Sequence, residues 1–591
     1  MNDKYNYVLG EVATFNKEIN LIDGWNWSFY EHVRRSFLYK NSQFEENNED
    51  RDKRPFKNII RPILNIQYRT EGFDVKDIEL YVDNPEIYYK SFLVKKFHEK
   101  WAPQNQIDTF IDEVVESYVD YGGVLVKNIK ETRPEVVDLR SIAFCDQTDI
   151  LSGAFAIRHY FSPQQLRDMA DIGWGDSQNN ATMELEALIK LSENEKQLDK
   201  TKSKTSGKYI EVFELHGTFP ENWLKGDKDT YSSQIHIIAY YKNQDNKDIG
   251  VTLFSSKEPN FPFKFLARDK VYGRALGFGG IEELFEAQIW TNFSEIQMQE
   301  MLELASKVLF KTSDQSFKTR NNIVNFEQGQ VLDLQEGKDI NQLDTTPRNL
   351  VVFDNAVKEW EAHAQQMGAA GEALMGESPA SGTPFKLQEL VTMEAKSLHK
   401  YRQGKIAVFI DEIYRDWILP HLSKEIVKGK KFLSELSADE LQMVMERMVD
   451  NQINDFVKDK VLDGFLPSVE EMEIEKVNAR ENFLKGGNKR FIEILKDELK
   501  DVPIEISTSI VGKQKNLALL TDKIVNLVRQ FIATPEIRND PYMVKLLNTI
   551  LESSGMSPIF FGSIQPPAIQ GGGATQPLAE LGEAVKTAPA I

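Results

Sequence analysis

The chain has 591 residues, with 71 Lys plus Arg against 91 Asp plus Glu, a formal charge of −20, and a single cysteine, Cys145. One thiol excludes an intrachain disulfide and any CxxC metal site, and the surplus of acid repels a phosphate backbone, which disfavours tight non-specific binding to nucleic acid. At 41% hydrophobic and 27% charged residues the composition is globular, and the length suits about four domains or one extended multi-part subunit.

The start, MNDKYNYVLGEV, lacks a basic-then-apolar leader, and no uncharged apolar run reaches bilayer length, so a soluble intracellular chain is expected. Residues 1 to about 120 read as mainly helical, with an acidic surface loop at FEENNEDRDKRP. From Tyr118 the pattern shifts to short β-branched runs, YVDYGGVLVKNI and EVVDLRSIAFCD, and strands return at KYIEVFELHGTF and SSQIHIIAYYKN. Between these groups lie a helix, SPQQLRDMADIGW, and a polar excursion, SENEKQLDKTKSKTSGK.

After Gly280, Ile281, Phe285, Ile289, Phe293, Ile296, Leu304 and Val308 fall near helical spacing. They predict a rod of about 30 residues, ~45 Å long. Residues 316–343 alternate polar and apolar around Gly329 and predict a small β-insert. A second rod starts at Thr346-Pro347 and carries Leu350, Phe353, Val357, Trp360, Ala364 and Met367, a narrow seam suited to a neighbouring helix in a bundle or an oligomer. It ends at Gly368. GAAGEALMGESPASGTP then predicts a flexible loop. A third rod carries Leu387, Leu390, Leu398, Ile406, Phe409, Ile413 and Trp417 up to Pro420, with Gly404 as its expected weak point. Helices follow, interrupted by a strand-like VPIEISTSIV, and the Pro/Gly/Ala-rich end reads as a disordered tail.

GRALGFGGIEELFEAQIW looks at first like a phosphate loop. A Walker A loop needs Lys and Ser/Thr after its glycines, and Ile281, Glu282 and Glu283 stand there instead. A dinucleotide fingerprint fails because Glu282 occupies the third glycine position. Glu282, Glu283 and Glu286 complement a helix dipole that would otherwise attract an anion, so they read as structural. Eight scattered histidines (His32, His98, His159, His216, His236, His363, His399, His421) show no metal-binding spacing. Cys145 reads as a buried inert thiol. No nucleophile elbow and no nucleic-acid-reading motif is present.

The order of these parts resembles the portal proteins of tailed bacteriophages. FKNIIRPILNIQYRTEGFDVKDIE, YVDYGGVLVKNI, VYGRALGFGGIEELFEAQIWTNFSEIQMQEM and GESPASGTPFKLQEL each resemble that family in type and order, from about residue 55 to about residue 560. The resemblance implies an α+β, mainly helical fold with a wing at 1–280, stem helices at 281–312 and 347–367, and a clip β-insert at 313–346. It further implies a tunnel loop at 368–384, a long kinked helix at 385–420, a helical crown at 421–562 and a disordered tail at 563–591. The tunnel-loop residues facing DNA would be Gly368, Gly371, Glu372, Gly376, Glu377, Ser378, Ser381 and Gly382, and Leu350, Phe353, Val357 and Trp360 would pack between subunits.

Functionally, the resemblance implies a homo-oligomeric ring, a dodecamer, at one capsid vertex of the virion, assembled in the host cytoplasm. Its channel passes double-stranded DNA during packaging and ejection. Its partners would be the large terminase docking on the clip, the major capsid or scaffold protein, and a neck or tail adaptor. No cofactor, no metal, no membrane and no catalysis by the chain itself are implied. The competing expectations are another head, neck or baseplate protein, and a divergent packaging nuclease or ATPase.

Overall fold

A computed structural model describes residues 4, 7, 10, 19–22, 25–45, 54–81, 88–129, 133–145, 148–195, 209–224, 230–242, 248–307, 309–320, 332–345, 350–370, 374, 397–428, 430–435, 438–462, 465–484, 489–494 and 504–508. They form an α+β, mainly helical fold. The chain divides into two compact units, Met1–Phe432 with Phe491–Lys515, and Leu433–Arg490 with Asn516–Ile591.

The first unit opens with β1 (Ile19–Ile22), β2 (Trp25–Trp27), α1 (Phe29–Lys40), α2 (Ile60–Glu71), β3 (Ile78–Tyr81) and α3 (Tyr88–Gln104). α4 (Ile107–Tyr121) buries Ile107, Phe110, Ile111, Val114, Val115, Tyr118 and Val119, a three-and-four spacing that gives it one apolar face. Each fully buried side chain of this size contributes about 1.5–3 kcal/mol. The helix stops at Gly122, which takes φ +78°, and the chain turns straight into β4 (Gly123–Lys127). β4 lies between β11 (Phe263–Ala267) and β5 (Glu135–Val136) in an antiparallel sheet.

A second antiparallel sheet has the order β10 (Asp248–Lys257), β9 (Tyr231–Lys242), β8 (Ile210–Pro220), β7 (Phe155–Phe161), β6 (Ile142–Phe144). Helices α5 (Pro163–Asp168) and α6 (Leu185–Glu195) cover one face, where Leu166, Leu188 and Ile189 meet Val212, Ile237 and Leu253. α5 starts at a capping box in which Ser162 and Gln165 satisfy each other's backbone amides. Trp27, Phe29, Leu125, Phe144, Phe155, Phe263 and Leu276 join this sheet to the β4 sheet in one core. Cys145 corrects an expectation: its thiol is exposed. Ile142 and Phe144 point into the core, so the two-residue period of the strand turns the next odd position outward.

The rods follow as α7 (Gly280–Glu283) and α8 (Phe285–Ser306), then the hairpin of β12 (Phe310–Thr312) with β13 (Ile340–Gln342) enclosing the short α9 (Phe317–Arg320), then α10 (Leu350–Met367). α8 is shorter than the rod that the sequence predicts: it breaks from α7 at Leu284 and ends at Lys307. Its facing also differs from expectation. Ile289, Phe293 and Leu304 are exposed, while Gln288, Thr291 and Asn292 are buried. The amides explain this: Gln288 accepts from Ile59 N at 2.9 Å and donates to Lys57 O at 2.6 Å, and Asn292 accepts from Lys57 N at 3.1 Å. Two amide side chains thus satisfy an extended backbone segment that would otherwise be buried without partners.

The third rod is described from Ser397 as α11 (Ser397–Ile413), a π-helical turn at Tyr414–Ile418, and α12 (Leu419–Val427). Helical geometry passes through Gly404 without a break, so the expected weak point lies elsewhere, and the helix continues past Pro420. Proline lacks an N–H and its ring crowds the carbonyl four residues back, a conflict that the π turn at Asp416 relieves. Tyr414 anchors the turn through a buried contact of its hydroxyl with His98 Nε2 at 3.1 Å; burial lowers His98 to about 4 and keeps it neutral. β14 (Lys430–Glu435) and β15 (Lys489–Ile494) stand at the limits of the units. β16 (Glu505–Thr508), inside the expected crown, pairs antiparallel with β3.

The second unit contains α13 (Ala438–Leu462) and α14 (Val469–Leu484), joined through a small core of Val449, Ile453 and Ala479 with Met445 and Val457 packed against it. The expected tail, 563–591, lies outside the described residues.

Buried charge sits within the β8 sheet. Glu214 meets Lys127 at 2.5 Å, His159 at 3.0 Å and His216 at 3.1 Å, and His216 Nδ1 contacts Glu258 at 2.8 Å. Burial opposes charge on both Glu214 and His216. The partners outweigh it, holding the carboxyl well below 4.5 and the imidazole above 6.5. A raised histidine stabilises the fold below its unfolded value and loses that contribution as pH rises through its folded value, whereas the depressed Glu214 stabilises above 4.5 and fails only in acid. Urea midpoints should therefore fall between about pH 6 and about pH 9, and His216→Gln should fall less over the same interval. Equal pH slopes for the two proteins would refute the assignment.

Candidate functional site at the root of the glycine-rich loop

α10 ends in a Schellman turn. Ala370 N donates to Gln365 O at 2.9 Å and Ala369 N to Gln366 O at 3.2 Å. The left-handed position, where glycine is usual, is Ala369 with φ +50°. A left-handed alanine costs about 1–2 kcal/mol. Glycine stands one residue earlier because space requires it there: a Cβ on Gly368 would lie 2.3 Å from Ile63 Cγ2.

Two side chains hold this strained turn from outside. Gln67 on α2 donates to Gly368 O at 3.1 Å, and His399 on α11 reaches Ala369 O through Nε2 at 3.0 Å. The two ends of the segment 371–396 are thereby fastened to each other and to α2. Gln67 also faces the glycine turn before α7, where a Cβ on Gly280 would lie 2.2 Å from Gln67 Oε1. Those glycines admit close packing by the chain's own groups, and Arg274 closes the turn with a two-pronged contact to Glu282 at 2.9 and 2.8 Å.

His399 Nδ1 lies 3.0 Å from Glu71 Oε1, a fully buried carboxylate that also meets Arg268 Nη2 at 2.7 Å and Arg402 Nη1 at 3.6 Å. Arg402 continues to Asp269 at 2.6 Å and Glu283 at 2.8 Å, and Lys405 donates to Arg268 O at 2.6 Å. Burial pushes Glu71 up, but Arg268 and the bond from His399 outweigh it and hold the carboxyl below its ordinary value. In Glu283 burial prevails over Arg268 and Arg402 and raises it. The cluster thus joins α2, the loop after β11, the end of α7 and the base of α11. No group of His, Cys, Asp and Glu able to hold a metal occurs among the described residues.

Of the residues singled out in the sequence, Gly368 lies in this root. Gly371, Glu372, Gly376, Glu377, Ser378, Ser381 and Gly382 lie outside the described residues. Val357 is buried against α8 in the same chain, with Leu350, Phe353 and Trp360 half-buried. Trp360 stacks on Trp290 with centroids 6.3 Å apart, and Lys57 bridges the rods through Glu295 and Glu361 at 3.2 and 2.8 Å. Beside this pairing, Ile289, Trp290, Phe293, Val351 and Val352 are 44–68% exposed.

Sequence reading passed over Glu71, Arg268 and Arg402, and set His399 among eight scattered histidines without a role. A signal was present: Gln67 with Glu71, and His399 with Arg402 and Gln403, are polar residues at helical spacing on buried faces otherwise apolar.

No family model and no curated protein matches the chain in sequence. Similar solved structures include a chain of the virion of a native gene transfer agent particle, with 9% identity and a TM-score of 0.31, covering 94% of this chain and 99% of that one. A chain from the neck of the empty particle, computed with C6 symmetry, has 9% identity and a TM-score of 0.32 over 89% and 99%. One from the neck of the native particle, computed with C12 symmetry, has 9% and 0.31 over 94% and 99%. At such values the likeness assigns no residue of this chain a role.

Ala369→Gly should raise unfolding stability by about 0.5–1 kcal/mol, the relieved strain less the added freedom of the unfolded chain. Arg268→Met should lower it by about 3–5 kcal/mol by leaving Glu71 buried and unpaired. Denaturant titration of both variants checks the pair; a destabilised Ala369→Gly would refute the strained turn.

Proposed function

We propose that the chain is the portal subunit of a tailed-phage-like particle: a structural, non-enzymatic protein forming a ring at one capsid vertex. In this reading double-stranded DNA enters and leaves through the channel, the large terminase docks on the β12–β13 hairpin during packaging, and capsid or scaffold and neck or tail adaptor proteins bind elsewhere. The observation that carries the reading is the arrangement of α8 and α10. Two rods, joined by a small β-hairpin, pair within the chain through Val357 and Trp360 and keep a second apolar face outward. An exposed apolar face on a paired rod calls for a cover, and in a ring the next copy supplies it.

The order of parts along the chain supports the same reading: the rods end at a clamped root from which residues 371–396 depart. In the portal reading that segment is the tunnel loop. Glu372 and Glu377 are the acidic residues of its first part, Gly371 to Ser381, which contains no Lys or Arg. Contact with DNA there would be steric and weakly repulsive, which suits sliding.

Mass measurement of the intact assembly should show a closed ring, a dodecamer, and Phe293→Asp or Val352→Asp should reduce it to smaller species, because each sets a charge in an apolar interface. A chain that stays monomeric at all concentrations would sink the proposal. Shortening Gly371 to Ser381 should leave the ring intact and impair packaging or retention of DNA in particles; full genome retention would reduce the segment to a linker. Purified ring should hydrolyse no ATP and cleave no DNA with Mg²⁺ above a control preparation.

A further inference from the structure

His399 stands between two acceptors. Its Nδ1 faces the Glu71 carboxylate and its Nε2 faces the Ala369 carbonyl, each at 3.0 Å. Neither acceptor brings a proton, because Glu71 is held ionised by Arg268. A neutral imidazole carries one N–H and satisfies one of the two; only the doubly protonated ring makes both bonds at once. The bond to the carboxylate is charge-assisted and the stronger, so a ring that loses a proton keeps Nδ1–H on Glu71 and turns a bare Nε2 toward the carbonyl.

The released group is the carbonyl of the strained residue, Ala369, at the departure point of residues 371–396. We infer that His399 is a proton-operated clip: protonated, it fastens the end of α10 to the base of α11, and deprotonated, it lets the strained turn go. The inference stands whether or not the chain forms a portal ring.

The charged and titratable groups around the ring and its partner Glu71 come from each packed element. α2 supplies Glu71, and the loop after β11 supplies Arg268 and Asp269. Glu283 comes from α7, Arg402 and Lys405 from α11 itself, and the buried Tyr118 from α4. Arg268, Arg402 and Lys405 balance Glu71, Asp269 and Glu283 in formal charge. The carbonyls at the C-terminal end of α10 add the partial negative charge that favours a cation beside them. Burial raises the Glu283 carboxyl above its ordinary value, so a test must separate its protonation from that of His399.

Amide hydrogen exchange on the full-length protein reads the clip. After correction for intrinsic exchange, peptides covering 364–370 and 397–403 should lose about tenfold in protection between about pH 5.5 and about pH 8.5. The step should vanish in His399→Gln, which has no titrating ring, and persist in Glu283→Gln. Protection unchanged across the interval, or an equal step in His399→Gln, overturns the proposal. If His399→Gln does not fold, the wild type still decides. The midpoint of the amide step must coincide with that of the exchange of the His399 ring's own C2 hydrogen, and a mismatch overturns the clip.

Discussion

Arg268 and Glu71, both fully buried, meet at 2.7 Å where four pieces of the first unit converge. A buried ion pair returns little net stability, since the desolvation of both charges offsets their attraction. What it imposes is arrangement: neither charge tolerates the loss of the other, so α2, the loop after β11, α7 and α11 are held in one relation. The glycine turn, the start of α8 and the root of the 371–396 segment all depend on that relation. The site suspected at first sight of binding phosphate is therefore filled by the chain's own backbone and its own arginine.

The two rods divide their labour by face. α10 buries Val357 and Ala364 and stacks Trp360 on Trp290 of α8, while α8 uses the amides of Gln288 and Asn292 to satisfy the backbone at Lys57 and Ile59. The large apolar side chains on α8 are left outward. Such a surface is poorly suited to water, and the acidity of the chain as a whole opposes non-specific association through it.

Element type was legible in the sequence where the period was strong: β4, β6, β8, β9 and both rods follow their patterns, and α10 stops at Gly368, whereas β7 and β10 were missed and the described start of the expected β-insert is the short α9. Facing was less legible. Ile289, Phe293 and Leu304 mark an apolar stripe, but periodicity states which residues share a face and not what covers it. Cys145 turned outward because alternation in a three-residue strand outranks the hydrophobicity of one residue. Gly404 yielded to Pro420 because a missing amide and a ring clash distort a helix more than a missing Cβ. The clamped root was hidden because its members are far apart in sequence: Glu71 and His399 are brought together across 328 positions.

The pairing of β16 with β3 crosses an even longer stretch of chain, from Ile78–Tyr81 to Glu505–Thr508. During synthesis, β3 leaves the ribosome well before its neighbour exists, and so does most of the first unit. Its sheet edge at that point stays open until nearly the whole polypeptide has been made. Completion of the first unit thus waits until late in synthesis, and a chain truncated before residue 505 would carry an unpaired strand edge, the feature that invites association between unfinished chains.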